Sequence, residues 1–438
     1  MNVKGIANWV EGSPRKILFL LVIFGFILRL SFIFATHFTN LSANWMAPDS
    51  EFYVALAKDI LEGHPLFFPN RLIADFIACF HTIGLVDIYT PGFENRLVWI
   101  FGMFNTLWST LSIYLYYYLV KYFFNQRITL IATLIFTLYP YNLFWNGFVL
   151  KESFGVFLFI AALLCTTITY SNPKLKEKIM AGLLLLLTIF IIYHWRRSML
   201  HYLFIATAIC LFIKFFNELF LQKMIHLNKN KAALLSWLSI LVTAISISFF
   251  SARFSIFPQL YDSSTPNRII KGNGYVEFFS LDNTYKNFWE KPPFDGGWKD
   301  FYYLPDSVKI QYYIDGLIDN IKRYPFIIPY SWKQKFQNYF RPVYKGSSLK
   351  NILFLGVADV LVMLTALLGF VLYLKKRNGS KIIISLITTY ILIQFLAHSE
   401  IRYRIYDMPI YIMLSAFMID SALSFFHPRY SNNISQHS

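Results

Sequence analysis

Cysteine is scarce in this chain. The three present, Cys79, Cys165 and Cys210, form no CxxC pair and no ligand cluster. Cys165 and Cys210 fall within apolar stretches, which argues against a disulfide framework and against a zinc site. Charge is also sparse, at 15% of residues, and acidic groups are outnumbered 24 to 40 by Lys and Arg. No basic patch is interleaved with a soluble fold, so the net charge of +16 implies no nucleic-acid partner. The first apolar segment lacks an A-x-A-like cleavage site behind it and is expected to be retained. There is no internal repeat and no low-complexity tract.

Apolar residues are what the chain has in excess, at 56% of the total with 19% aromatic. A soluble domain cannot hide that much apolar surface, so the expected class is an all-α polytopic membrane protein. A membrane span needs about 20 apolar residues, and about ten such segments can be placed. They centre on Ile17–Phe34, Leu97–Val120, Ile128–Tyr139, Phe154–Tyr170, Ile179–Tyr193, Met199–Phe215, Ala232–Phe250, Ile352–Leu374, Ile382–Ala397 and Ile405–Phe425. Pro140 interrupts the third. Lys and Arg gather before the first span (Lys4, Arg15, Lys16) and in four inter-span loops: Lys121 and Arg127; Lys174, Lys176 and Lys178; Lys223, Lys229 and Lys231; and Lys375 to Lys381. The positive-inside rule makes that side cytoplasmic, with both termini on it.

The opposite face then receives two large loops, 37–96 and 251–350, which divide the chain into 1–250, 251–350 and 351–438. Amphipathic interfacial helices are expected in both loops. In the first, Phe52, Tyr53, Leu56, Ile60 and Leu61 recur at helical spacing after Pro48 and stop at Gly63. In the second, Ser307 to Pro325 and Trp332 to Phe340 carry helical patterns, the latter with Lys333, Lys335 and Arg341 among the aromatics.

Four charged groups lie at span ends on that same face, where ionisable residues are expensive. They are Asp49 and Glu51; Lys151 and Glu152; His194, Arg196 and Arg197; and His398, Glu400, Arg402 and Arg404 with Asp407 one turn on. Each has a bland reading. Asp49 or Ser50 can be a helix N-cap, Lys151 and Glu152 an interfacial charge pair, Arg196 and Arg197 headgroup anchors, and Glu400 and Arg402 surface staples. Together they suit group transfer from a lipid phosphate, in which Arg forks hold the phosphate and a carboxylate takes a proton from the attacking hydroxyl.

Several motifs resemble the GT-C superfamily of membrane glycosyltransferases, in the overall plan of the protein O-mannosyltransferases and the aminoarabinose transferases. They are Pro48-Asp49-Ser50-Glu51-Phe52-Tyr53 in the first outer loop, Tyr139-Pro140 with Lys151-Glu152-Ser153, Asn320-Ile321-Lys322-Arg323-Tyr324-Pro325, and Glu400-Ile401-Arg402-Tyr403 with Pro409. The resemblance covers most of the chain by order and topology. It implies Asp49 as the catalytic aspartate, a sugar donor carried on polyprenyl phosphate, and Arg196, Arg197 and Arg402 as donor-phosphate binders. Glu51, Tyr53, Lys151, Glu152, His398 and Glu400 are the remaining substrate-binding or second-acid candidates. Position 50 is Ser where mannosyltransferases often have adjacent Asp and Glu, so Glu152 and Glu51 stand as equal candidates for a second carboxylate.

The expected reaction is an inverting displacement at the anomeric carbon, with Asp49 as base or orienting group and a glycan, lipid or protein acceptor. No cofactor is expected, and no obligatory metal, because no His/Asp/Glu cluster has ligand spacing; metal use varies across the superfamily. Membrane lipids are the other partners. The expected location is a bacterial inner membrane with the site facing the exterior. An envelope polysaccharide polymerase or ligase shares such a donor. A transporter or flippase for a lipid-linked sugar would call for midplane charges or inverted repeats of Gly/Pro-broken helices, and neither is expected here.

Overall fold

The structure, a computed structural model, describes residues 13–38, 48–63, 72–171, 174–196, 340, 352–376 and 405–426. Ten α-helices account for most of them: α1 (Pro14–Phe38), α2 (Pro48–Leu61), α3 (Leu72–Thr82), α4 (Phe93–Phe123), α5 (Gln126–Leu138), α6 (Pro140–Phe144), α7 (Glu152–Ser171), α8 (Leu175–Arg196), α9 (Val357–Lys376) and α10 (Met408–Phe426). No strand occurs among the described residues. Five helices are long and apolar enough to cross a membrane: α1, α4, α7, α10, and α9 together with the π turn Ile352–Gly356 that leads into it. The bent pair α5–α6 makes a sixth. The chain is thus a helical membrane protein. Seven of the expected spans coincide with described helices. Those at 199–215, 232–250 and 382–397, and the loop helices at 307–325 and 332–340 apart from Phe340, lie outside the described residues.

The ends of the helices follow from local chemistry. Pro14 and Pro48 open α1 and α2 at a position where the missing N–H costs nothing. Asn125 caps α5, its side chain accepting from the Ile128 N–H at 3.0 Å. Along α5, Thr129, Thr133 and Thr137 are fully buried and donate to the carbonyls four residues back, at 2.7–2.8 Å. That local bond lets a hydroxyl enter an apolar environment without an orphaned donor.

α4 is the central element. α1, α5 and α7 pack on it, α8 packs on α7, and the α9–α10 pair joins through α10 against α5. Lipid offers no hydrophobic drive between helices, so close approach and polar contacts must hold them. Tyr116 Oη donates to the Pro409 carbonyl at 2.7 Å, Tyr139 Oη to Asp359 Oδ1 at 2.7 Å, and Arg127 Nε lies 2.9 Å from Asp420 Oδ1. The hydroxyls of Thr365 and Ser415 are 2.6 Å apart across α9 and α10.

The α9–α10 crossing depends on Gly369, where an added Cβ would meet the Leu414 carbonyl oxygen, a backbone atom that cannot rotate away. Gly369→Ala is expected to force the two helices apart and to cost about 1–3 kcal/mol, the usual range for overpacking. Thermal unfolding of the purified protein in detergent should show a lowered midpoint. An unchanged midpoint would mean the crossing is looser than described.

Candidate active site

The site begins at a proline. Tyr139 precedes Pro140 and adopts an extended backbone (φ −61°, ψ 117°), the conformation favoured before proline, so α5 ends at Leu138. Pro140 has no N–H for the Phe136 carbonyl four residues back. Asn142 Nδ2 supplies the missing donor at 3.1 Å. The chain turns 44° into α6, tightens through a 3₁₀ turn at Trp145–Gly147, is extended at Phe148, and bends through residues 148–151 before α7 starts at Glu152.

That short run is held from several sides. Asn105 of α4 donates through Nδ2 to the carbonyls of Asn146 (3.3 Å) and Phe148 (2.9 Å), and Ser153 Oγ donates to Asn146 Oδ1 at 2.8 Å. Helix α2 then arrives from a position 99 residues away, with Ser50 Oγ donating to the Val149 carbonyl at 2.9 Å. The Lys151 ammonium lies 5.7 Å from the centre of the Tyr53 ring, within cation–π range. Trp195, at the end of α8, is fully buried against Phe76, Phe104 and Phe154. Its indole N–H donates to the Lys151 carbonyl at 3.0 Å, an oxygen that also accepts from the Gly155 N–H at 2.9 Å. Tyr406, just before α10, presses on Gly155, where a Cβ would sit 2.8 Å from its Oη.

Ser50 and Tyr53 of α2 and Trp195 of α8, neighbours of the charged groups at 49–51 and 194–196, therefore meet the chain at residues 149–151. Asp49 is the second residue of α2 and so falls within its first turn, not at the cap position. Ser50, the other cap candidate, spends its hydroxyl on Val149. Tyr53 is buried and Glu51 is exposed. Lys151 and Glu152 are 5% and 1% exposed, so both lie in the interior rather than at a wet surface. Glu152 also opens α7, where the positive end of the helix favours a carboxylate by about 0.3–1 kcal/mol. His194 is exposed and packs edge-on against Phe190 at 4.8 Å. Arg196 is the last residue of α8. Arg197, His398, Glu400, Arg402 and Arg404 lie outside the described residues, whereas Asp407 is buried beside Tyr406. Among the described residues, no three of His, Cys, Asp and Glu stand together as a metal site.

The far end of α2 is anchored too. Lys58 Nζ lies over the rings of Tyr89 (5.3 Å) and Phe93 (5.7 Å). In that outer turn Asp87 is held below the usual carboxylate range by the Thr90 hydroxyl and the Tyr89 N–H. Helix α3, not anticipated in the sequence, buries Ile73, Ala74, Ile77 and Ala78 and packs against α2 and α8. Its i, i+1, i+4, i+5 stripe was the available signal.

Arg29 was also overlooked. It sits near the middle of α1 and is fully buried. A charge at such a position costs about 2.5–3.5 kcal/mol on insertion scales. Its Nε donates to Ser109 Oγ at 2.6 Å and its Nη1 to the carbonyls of Gly25 (3.0 Å) and Thr137 (3.4 Å); Nη2 has no hydrogen-bond partner among the described residues. The signal was a lone Arg inside the most apolar segment of the chain. The expectation that no charge occupies the middle of a span is thereby corrected.

No protein-family model and no curated protein matches the sequence. Among solved structures, the chain is similar to the archaeal oligosaccharyltransferase AglB from Archaeoglobus fulgidus in complex with an inhibitory peptide and a dolichol-phosphate. The identity is 14% and the TM-score 0.51, over 97% of this chain and 52% of that one. It is also similar to the apo form of the Archaeoglobus fulgidus oligosaccharyltransferase (14%, TM-score 0.50, 95% and 52%). A form of that enzyme tethered to an acceptor peptide containing the NVT sequon matches at 13% and TM-score 0.50, over 96% and 51%. The chain spans about half the length of these proteins. At such identity the likeness is one of fold alone.

Proposed function

We propose that this chain is a membrane glycosyltransferase that moves a sugar from a polyprenyl-phosphate donor to an acceptor hydroxyl or amine at one membrane face. The observation that carries the reading is the convergence of α2, the Lys151–Glu152 turn and the end of α8, tied by the Ser50–Val149 and Trp195–Lys151 hydrogen bonds, in a fold similar to that of an oligosaccharyltransferase. The dolichol-phosphate and acceptor peptide held by the similar oligosaccharyltransferase support a lipid-linked donor and a protein acceptor.

In the proposed reaction the acceptor oxygen or nitrogen attacks the anomeric carbon from the face opposite the phosphate. The bond from that carbon to the phosphate oxygen breaks, and its electron pair leaves with the lipid phosphate. Attack from the opposite face inverts the anomeric configuration, and the acceptor proton passes to the Asp49 carboxylate. Arg196, Arg197 and Arg402 hold the departing phosphate, whose negative charge grows as the bond breaks. Lys151 and Glu152 shape the acceptor side of the site.

The test is reconstitution of the full chain in liposomes with a panel of hexosyl and pentosyl polyprenyl phosphates and with peptide, lipid and glycan acceptors. Mass spectrometry reads free polyprenyl phosphate and the glycosylated product. Release coupled to product with at least one donor is expected. Unchanged donors across the panel, with no saturable donor binding, would overturn the reading.

A further inference from the structure

The break between α5 and α7 leaves backbone carbonyls without helical partners, and a full charge from another helix is aimed at it. The Phe136 carbonyl is met by Asn142, and the Thr137 carbonyl receives Arg29 Nη1 from α1. A cation at the C-terminal end of a helix is favoured by its dipole, and an orphaned carbonyl in lipid is costly. The same guanidinium continues toward the site. Arg29 Nε donates to Ser109 Oγ, Asn146 Nδ2 donates to that same oxygen at 3.4 Å, and Asn146 Oδ1 accepts from Ser153 Oγ. Ser109 is 80 residues from Arg29 and sits on α4, one turn beyond Asn105, which holds the Asn146 and Phe148 carbonyls. Arg29, Ser109, Asn105, Asn146 and Ser153 are all buried.

We propose that Arg29 is a positioning residue, whose guanidinium closes the broken end of α5 and, through Ser109 and Asn146, fixes the turn that presents Lys151 and Glu152. The proposal rests on the reading of that turn as part of the transfer site. A buried cation serves here because one planar fork reaches two carbonyls and a hydroxyl on three different helices. An apolar side chain of equal volume would leave the Thr137 carbonyl without this donor and Ser109 held by Asn146 alone, and the cooperative network would lose its root.

The experiment uses the full chain in nanodiscs as wild type, Arg29→Met, Arg29→Lys, Ser109→Ala and, as a control on a different charged contact, Arg127→Met. Hydrogen exchange at residues 145–151 is expected to rise by about tenfold or more in Arg29→Met and Ser109→Ala, and to stay unchanged in Arg127→Met. In the transfer assay, Arg29→Met should lower kcat with the donor KM unchanged, and Arg29→Lys, which still reaches a carbonyl, should recover part of it. Unaltered exchange at 145–151 overturns the proposal. So does a raised donor KM with kcat intact, which would make Arg29 a donor-binding group. If Arg29→Met does not fold, Ser109→Ala decides by the same exchange readout. If the wild type transfers from no donor, the proposed function fails, and the exchange measurement alone judges the positioning role.

Discussion

Asp49→Asn is expected to abolish sugar transfer while the protein still folds and inserts. The two roles open to this carboxylate differ widely in size. As a first-turn acid in α2 it interacts with the helix dipole, worth about 0.3–1 kcal/mol, and Asn would lose no more than that. As the base of the proposed reaction its loss removes about 10²–10⁴-fold in rate, which is about 2.7–5.4 kcal/mol of barrier at 1.36 kcal/mol per tenfold. The residue after it is fixed by a hydrogen bond to Val149 that does not involve the carboxylate, so the helix keeps its place when the charge is removed. The measurement pairs polyprenyl-phosphate release with a thermal unfolding midpoint. A variant with an intact midpoint and transfer reduced by about two orders of magnitude or more fits a base. A variant that still turns over at near wild-type rate removes Asp49 from the chemistry and leaves it as a dipole-stabilised first-turn residue.

What was legible in the sequence was whatever repeats locally. The apolar segments that became α1, α4, α7 and α9 announce themselves by length and composition, Pro140 marks the break, and the Phe52–Leu61 periodicity marks α2. Each signal lies within one helical stretch. The three charged groups could be named for the same reason, since each stands at a span end where charge is unusual. The meeting of the segments that carry them was not legible, because it depends on bonds between residues 99 and 44 positions apart, Ser50 with Val149 and Trp195 with Lys151. Arg29 shows the converse failure. Averaged over α1, one Arg disappears among Leu, Ile and Phe, and its partners on α4 and α5 are 80 and 108 residues downstream. Segment averages detect where a helix crosses lipid; they do not detect the one position at which another helix supplies the acceptors that make a buried charge tolerable. Helix α3 was passed over for a simpler reason. At 11 residues it is too short for a span, and it lies within a long inter-span loop.

The equivalence of Glu51 and Glu152 as second carboxylates is broken by their surroundings, and the second large effect is expected at Glu152. Glu51 is exposed on α2, whereas Glu152 is 1% exposed and begins α7 next to the buried Lys151. Burying a carboxylate is costly unless the charge is used or balanced. Two explanations follow, and they separate in a pair of variants. If Glu152 only balances Lys151, then Glu152→Gln removes a negative charge beside a buried ammonium, with a destabilisation of up to about 3–5 kcal/mol. The double variant Lys151→Met with Glu152→Gln would then regain both stability and transfer. If Glu152 orients the acceptor or shares its proton, the double variant regains stability but not turnover, and the loss stays at about 100-fold or more, the lower end of what a positioned acid or base supplies. Glu51→Gln should leave both stability and transfer within about twofold, as an exposed surface change does. Transfer measured with the donor that the wild type accepts, beside unfolding midpoints of the three variants, decides between them. Full recovery of turnover in the double variant would reduce Glu152 to a counter-charge and leave Asp49 as the sole carboxylate of the proposed reaction.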